Sequence, residues 1–142
     1  MLVGYHKDSP WQEWRPGVRS RAWSSPSTGA AVAHMGEQIV APGAGAPDHW
    51  HHYEEHFCIY AGTAEVRVAG EVQVVEAPAT VIFPPETVHG FTNVGDIDLH
   101  IIGAVPYPIH ETFFVDDPAG TVTRSWEPGI HGHRKVSVEA ES

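Results

Sequence analysis

Two histidines and one glutamate in residues 43–62 have the residue types and spacing of a metal site. The stretch is GAGAPDHWHHYEEHFCIYAG, and it places His49, His51 and Glu55 at alternating positions. Side chains two apart on a strand point to the same face, so an extended segment over residues 49–59 puts all three on one face. A helix would instead separate His49 from His51 by about 200°. The spacing therefore predicts a strand that brings two imidazoles and a carboxylate to one metal ion.

A fourth ligand is expected from a facing strand, and His89 is the candidate. It follows a proline-rich turn and begins an apolar strand with Phe91 on the same face. Three imidazoles and one carboxylate make a mixed nitrogen and oxygen site that suits Fe, Mn, Ni, Zn or Cu. Ligand type does not choose among these ions, since availability matters as much as affinity. The predicted cofactor is therefore one divalent transition metal ion of unspecified identity.

Short strands separated by Gly and Pro turns must position these residues. The pattern predicts an edge strand after the Pro16-Gly17 turn, a strand within 28–40, and a hairpin over 64–76 that turns at Ala69-Gly70. Further strands are predicted at 79–83, 89–93, 98–105 and 112–115. No long helical period is present. Strands at intervals of about 8–12 residues predict an all-β fold of antiparallel strands with few or no helices.

Composition narrows the partners of this 142-residue chain. Its formal net charge of −10 argues against nucleic acid or an acidic membrane as a partner, because either would repel it. No run of 18 apolar residues is present, so no transmembrane span is expected. Cys58 is the single cysteine, which excludes an internal disulfide and fits a cytoplasmic location. A small-molecule substrate is the partner that remains.

The ligand segments resemble the two motifs of the cupin superfamily. The first motif, G-x5-H-x-H-x3-E-x6-G, is matched at every specified position: Gly43, His49, His51, Glu55 and Gly62. The second, G-x5-P-x-G-x2-H-x3-N, is matched at Pro84, His89 and Asn93. Pro78 and Glu86 stand where this motif has glycines, which affects turn geometry rather than the ligands.

The resemblance covers roughly residues 30–106 and implies a fold, a site and an assembly. The implied fold is a jelly-roll β-barrel of two antiparallel sheets, in which the two motifs meet at a metal, and the implied assembly is a homodimer. The expected organisation is an N-terminal arm over 1–29 that packs on the barrel or a partner subunit, a cupin core over 30–115, and a weakly structured extension over 116–142. A second H-x-H, at His131 and His133, lacks a nearby carboxylate and is not expected to bind metal.

Aromatic residues in register with the ligands predict the walls of a substrate pocket: Tyr53, Phe57, Phe83 and Phe91. His100 is either an acid/base residue in this pocket or a structural histidine bonded to a partner. The predicted function is a metal-dependent enzyme for a small carbonyl-containing or aromatic substrate. It would be either an Fe(II) dioxygenase or an isomerase, lyase or cyclase that uses Zn, Mn or Ni as a Lewis acid. A non-catalytic module that binds a small molecule is the alternative.

Overall fold

The computed structural model describes residues 1–117 and the backbone of two later strands, 121–125 and 133–137. Within these residues the chain forms β-strands and two short 3-10 turns, and no α-helix. The strands are β1 Gln12–Arg15, β2 Val18–Ser24, β3 His34–Val40, β4 Gly45–Trp50, β5 Glu55–Ala61, β6 Thr63–Val68, β7 Glu71–Glu76, β8 Ala79–Phe83, β9 His89–Asn93, β10 Leu99–Val105, β11 His110–Phe114, β12 Thr121–Ser125 and β13 His133–Ser137.

The strands form two antiparallel sheets. One has the order β1-β2-β3-β10-β5-β8, and the other has the order β13-β12-β11-β4-β9-β6-β7. Consecutive strands such as β4 and β5 lie in different sheets, which is how a jelly roll divides its strands between two layers. The predicted all-β, double-sheet fold is therefore confirmed.

The core lies between the sheets and follows the period-two pattern of each strand. In β5, Phe57 and Ile59 are buried while Tyr60 is exposed, and in β10 the buried residues are Leu99, Ile101 and Val105. Inward side chains from both sheets join one apolar cluster. Because burial alternates along these strands, register alone decides which polar side chains also face inward.

The prediction of one extended strand over residues 49–59 is wrong. Strand β4 ends at Trp50, residues 51–54 form a bend, and β5 begins at Glu55 in the opposite sheet. The chain therefore passes from one sheet to the other through residues 51–54, and the side chain of Glu55 still faces the space between the sheets. The predicted hairpin is present as β6 and β7, with Ala69 and Gly70 both at positive φ in the turn.

Two other strands differ in their bounds. The strand predicted within 28–40 begins only at His34, because a 3-10 turn over Pro26–Thr28, capped by the Ser25 side chain, precedes it. The strand predicted at 112–115 is β11, which begins earlier, at His110.

The N-terminal segment is tied to the six-stranded sheet. Strands β1 and β2 extend that sheet beyond β3. The guanidinium of Arg21 lies 4.4 Å from the ring of Trp11, His6 stacks on Trp23, and Trp14 packs against the core. The division into arm, core and extension remains a prediction. Most of the extension, including His131, lies outside the described residues. No helix in the described ranges is long and apolar enough to cross a membrane.

Candidate metal centre

The residues predicted as metal ligands lie together between the two sheets. His49 is on β4, His51 is in the bend after it, Glu55 begins β5, and His89 begins β9. One nitrogen or oxygen atom from each lies within 4.8 Å of the others. The cluster thus joins both sheets through segments that are 40 residues apart in the chain.

Local irregularity aims the ligands inward. The register of β4 and β9 shifts between Ala46 and His49. The side chains of Ala46 and His49 are therefore both buried, although residues three apart on a regular strand face opposite sides. A bulge of this kind re-aims side chains along a strand. His49 is then directly opposite His89 in the ladder.

A glycine permits the close approach of these two strands. A Cβ on Gly45 would clash with the carbonyl oxygen of Phe91 and lie 2.8 Å from the Cα of Thr92. Both contacts are with backbone atoms, which cannot move aside as the end of a long side chain can. Any larger residue would therefore push β4 away from β9 and separate His49 from His89.

Backbone carbonyl groups orient all three imidazoles. The Nδ1 atoms of His49 and His89 lie 2.7 and 2.8 Å from the carbonyl oxygens of Pro47 and Thr87. Nδ1 of His51 lies 2.6 Å from the carbonyl oxygen of Glu111 on β11. A carbonyl only accepts, so each Nδ1 carries the proton and donates it. Each ring therefore turns Nε2 toward the centre, the arrangement typical of metal-binding histidines.

The cluster is rich in electron pairs and poor in positive charge. Oε2 of Glu55 lies 2.9 Å from Nε2 of His51 and 3.2 Å from Nε2 of His89. Glu55 has no Arg or Lys ion-pair partner among the described residues. Nε2 of His51 is buried and, within the described part of the chain, has no well-aligned hydrogen-bond partner. Three imidazole nitrogens and a carboxylate oxygen converge here with no Arg or Lys beside them, so the donor set fits a transition metal ion.

Burial and mutual charge set the protonation of the centre. Burial lowers the pKa of His49 to about 3, and the neighbouring His89 and His51 contribute to the decrease. Burial alone would raise the pKa of Glu55, but the close His51 and His89 imidazoles outweigh it and hold that pKa well below its usual range. At neutral pH, His49 is therefore a free base and Glu55 is a carboxylate, which are the forms that bind metal.

A fourth histidine, His110, lies beside the cluster and was not among the predicted site residues. Its ring centroid is 4.6 Å from that of His51, and burial lowers its pKa well below the usual range. Nδ1 of His110 is 3.0 Å from the hydroxyl of Tyr53. That hydroxyl also accepts a hydrogen bond from the Glu111 amide at 2.6 Å. His110 is held in place through Nδ1, which leaves Nε2 available to a ligand.

Two adjoining cavities open beside the cluster. The smaller, of about 40 Å³, is lined by His49, Glu55 and His89 together with Phe57, Phe83 and Phe91. The larger, of about 70 Å³, extends toward β2 and β3. Residues that line both cavities are Gln38, Glu55, Phe57 and His110. Three of the four predicted pocket walls therefore lie at a cavity, and their contact with a substrate remains a prediction.

Tyr53 and His100 lie elsewhere than in these cavity walls. Tyr53 packs behind the site, between His51 and Tyr107, and its ring is nearly parallel to both. His100 lines neither cavity; its Nε2 lies 2.6 Å from Oε2 of Glu37, and Oε1 of the same carboxylate accepts hydrogen bonds from Arg21 and Trp23. This placement matches the structural alternative for His100, a histidine bonded to a partner.

Gln38, His34 and His110 line the cavities but were not among the predicted site residues. Gln38 and His34 lie on β3, and their positions in that strand gave no chemical signal. His110 follows four residues that include two prolines, Pro106 and Pro108, where the strand pattern is weak. Its proximity to His51 arises only because β11 pairs with β4.

A double-sheet β-fold with a His, His, Glu, His cluster between its layers defines the cupin class. The model of the family described as "Cupin domain" matches residues 36–105, a range that contains all four cluster residues. The chain therefore belongs to the cupin superfamily.

Particular relatives extend the comparison. The chain is 32% identical over 77 residues to "Polyketide synthase CurC" of Streptomyces cyaneus, a match that covers 54% of this chain and 50% of that protein. The chain thus spans about half the length of this curated relative. Its fold is similar to that of the polyketide cyclase RemF from Streptomyces resistomycificus, with a TM-score of 0.65, 20% identity, and coverage of 75% and 79% of the two chains. KdgF from Halomonas sp. gives a TM-score of 0.64, 19% identity, and coverage of 75% and 94%.

Proposed function

We propose that this protein is a metal-dependent enzyme that acts on a small carbonyl-containing or aromatic molecule. The observation that carries the proposal is that the His49, His51, Glu55 and His89 cluster adjoins a cavity with phenylalanine walls. A bound metal ion would supply Lewis-acid polarisation of a substrate oxygen. The phenylalanines would hold an apolar or aromatic body beside it.

Among the possible reactions, a Lewis-acid cyclisation or isomerisation is favoured over a dioxygenation. The similarity to a polyketide synthase and the shared fold with a polyketide cyclase support this preference. His110 supports it as well, because a neutral imidazole at the cavity wall, fixed through its Nδ1, can take up or release a proton at Nε2. The surrounding apolar side chains would exclude water from the reacting groups.

Three further features belong to the proposal. A homodimer is expected, with the N-terminal strands near the partner subunit. A cytoplasmic location is consistent with the single cysteine, Cys58. A binding module without turnover is the competing hypothesis, and it predicts a bound metal but no chemical change in any ligand.

Metal analysis tests the site first. Elemental analysis of protein purified without an affinity tag should find about one divalent transition metal ion per chain. His51→Ala and His89→Ala should each remove most of it, because each deletes a buried ligand. His56→Ala is the matched control, since the side chain of His56 is half exposed and pairs with Glu54. Equal metal content in all three variants would refute the site.

Reaction assays then separate the mechanisms. The metal-loaded protein is incubated with a 1,3-diketone or a catechol, and oxygen uptake is followed with both. With the diketone, deuterium exchange at the carbon between the two carbonyl groups is followed as well. Exchange without oxygen uptake supports the Lewis-acid enzyme, and oxygen uptake supports the dioxygenase. Intact metal with neither signal, across a panel of such compounds, would favour the binding module.

A further inference from the structure

The larger cavity offers hydrogen-bond acceptors that lack donors. Gln38 and His34 both line it. Oε1 of Gln38 and Nδ1 of His34 are buried and have no hydrogen-bond partner within the described part of the chain. Buried polar atoms are almost always paired in folded proteins, so two unpaired ones at one cavity indicate a missing partner.

The protonation of His34 makes its free nitrogen an acceptor. Burial lowers the pKa of His34, so the ring is neutral at physiological pH. The ring donates a hydrogen bond to the backbone carbonyl of Pro108. Since Nδ1 is the nitrogen without a partner, the donor is Nε2–H, and Nδ1 carries a lone pair. Gln38 and His34 thus each present one acceptor atom to which a ligand can donate a hydrogen bond.

The charges at the cavity disfavour an anionic ligand. Arg21 is the one Arg or Lys among the described lining residues. Its guanidinium is already engaged, because it donates to the Glu37 carboxylate and to the backbone carbonyl of His6. The carboxylates of Glu37 and Glu55 line the same cavity. A carboxylate or phosphate on a ligand would find repulsion there and no free cation.

Apolar side chains form another part of the lining, beside the polar Gln12 and Ser20. Phe57, Ile101 and Val105 form part of the wall, and all three are buried. Glu55 and His110 connect this cavity with the smaller one beside the cluster. A ligand in the larger cavity therefore combines an apolar body with polar groups at defined positions, and one end of it reaches the metal-binding residues.

We infer that the larger cavity selects a neutral substrate with hydroxyl groups, whose protons are donated to Oε1 of Gln38 and Nδ1 of His34. Phe57, which lines both cavities, and the phenylalanines of the adjoining smaller cavity favour an aromatic ring as the body of that substrate, so the class is a neutral polyhydroxylated aromatic compound. This inference rests on the proposed function, since it assigns the substrate class of the same metal site.

Binding to the zinc-loaded protein tests the inference without turnover. The probes are 1,3-dihydroxybenzene, which can donate two hydrogen bonds but cannot chelate one ion through both oxygens, and 1,3-dimethoxybenzene, which donates none. Isothermal titration calorimetry should show that the dihydroxy compound binds about tenfold or more tightly, as expected for one or two neutral hydrogen bonds. Zinc content is measured on the same samples.

Substitutions identify the groups that cause this preference. Gln38→Leu and His34→Phe keep the approximate side-chain size and remove the acceptor, so each should reduce the preference to about threefold or less. Gln38→Met serves as a second variant if Gln38→Leu folds poorly. Gln73→Leu is the control, because Gln73 is exposed on β7 and lines neither cavity. The thermal midpoint of ligand-free Gln38→Leu should rise, because the variant has lost an unpaired buried acceptor.

The outcomes separate the two proposals. A wild-type chain that binds neither zinc nor any of the other candidate ions (Fe, Mn, Ni or Cu) refutes the proposed function and this inference together. Full zinc occupancy with equal binding of the two probes refutes the inference alone. A wild-type preference that persists unchanged in Gln38→Leu and His34→Phe also refutes it, because the preference would then come from other groups.

Discussion

The hydroxyl of Tyr53 is predicted to control metal affinity although it is not a ligand. It accepts the Glu111 amide hydrogen bond at 2.6 Å and lies 3.1 Å from the Glu111 carbonyl oxygen. The same carbonyl accepts the Nδ1 proton of His51 at 2.6 Å. Tyr53 therefore holds the Glu111 backbone on both sides of its Cα, including the carbonyl that orients His51. Burial raises the pKa of Tyr53, so the hydroxyl stays protonated across the working pH range.

The substitution Tyr53→Phe removes this oxygen and keeps the ring. The stacking on His51 and Tyr107 is retained, with ring centroids 5.5 and 5.3 Å away. The Glu111 amide and Nδ1 of His110 each lose a partner. One unsatisfied buried donor lowers the free energy of unfolding by about 1–3 kcal/mol. Loss of the direct outer partner of a metal-binding histidine typically weakens metal affinity about 10–100-fold, and Tyr53→Phe loosens the Glu111 carbonyl without removing it, so we expect a decrease near the lower end of this range.

Competition with a chromophoric zinc chelator measures the affinity, and urea unfolding of the metal-free protein measures the stability. Tyr60→Phe is the matched control, because Tyr60 is 63% exposed and has no hydrogen bond to the site. We expect both quantities to fall in Tyr53→Phe and to stay unchanged in Tyr60→Phe. Zinc affinity in Tyr53→Phe within twofold of wild type would refute the orienting role of the Glu111 peptide.

Three more predictions concern the backbone and pH. Glu86 has a φ of +57°, where the cupin motif has glycine, so Glu86→Gly should raise the free energy of unfolding by about 0.5–1 kcal/mol, and a decrease in urea unfolding would contradict this. Gly45→Ala should lower the free energy of unfolding by about 3 kcal/mol and also lower the metal content, because its Cβ would clash with the Phe91 carbonyl. A thermal midpoint and a metal content equal to those of the wild type would exclude the clash. The metal-free protein should lose about 2 kcal/mol between pH 6.5 and 5 through His49 alone, because its pKa is about 3 when folded and about 6.5 when unfolded. This contribution of His49 to stability is fully present above pH 6.5 and decreases at lower pH, as the unfolded state takes up protons. A urea midpoint at pH 5 that is as high as the midpoint at pH 6.5 would contradict this prediction.

Local pattern was sufficient to predict most of the fold. The alternation in β5, the hairpin of β6 and β7, and the start of β9 at His89 all follow from period-two patterning and turn residues. The bend at residues 51–54 could not be seen in this way. Both a continuous strand and a strand, a bend and a strand return Glu55 to the inside, so periodicity does not distinguish them.

The candidate site was predictable where residue type carried the signal. The spacing of the cluster residues drew attention to each of them, and the structure brings all four together. Gln38 and His34 differ, because their significance lies in having no partner, which depends on every neighbouring strand. His110 depends on the pairing of β11 with β4, some 60 residues away along the chain.

The position of the Glu111 carbonyl bears on how short a fragment of this chain could keep the candidate metal centre ordered. The family match ends at residue 105, and the group that orients His51 lies beyond it. A chain truncated at residue 105 would retain all four side chains of the candidate metal centre, but the imidazole of His51 would lose its backbone partner and could rotate. The minimal working unit is therefore longer than the recognisable domain, and excision experiments should keep β11.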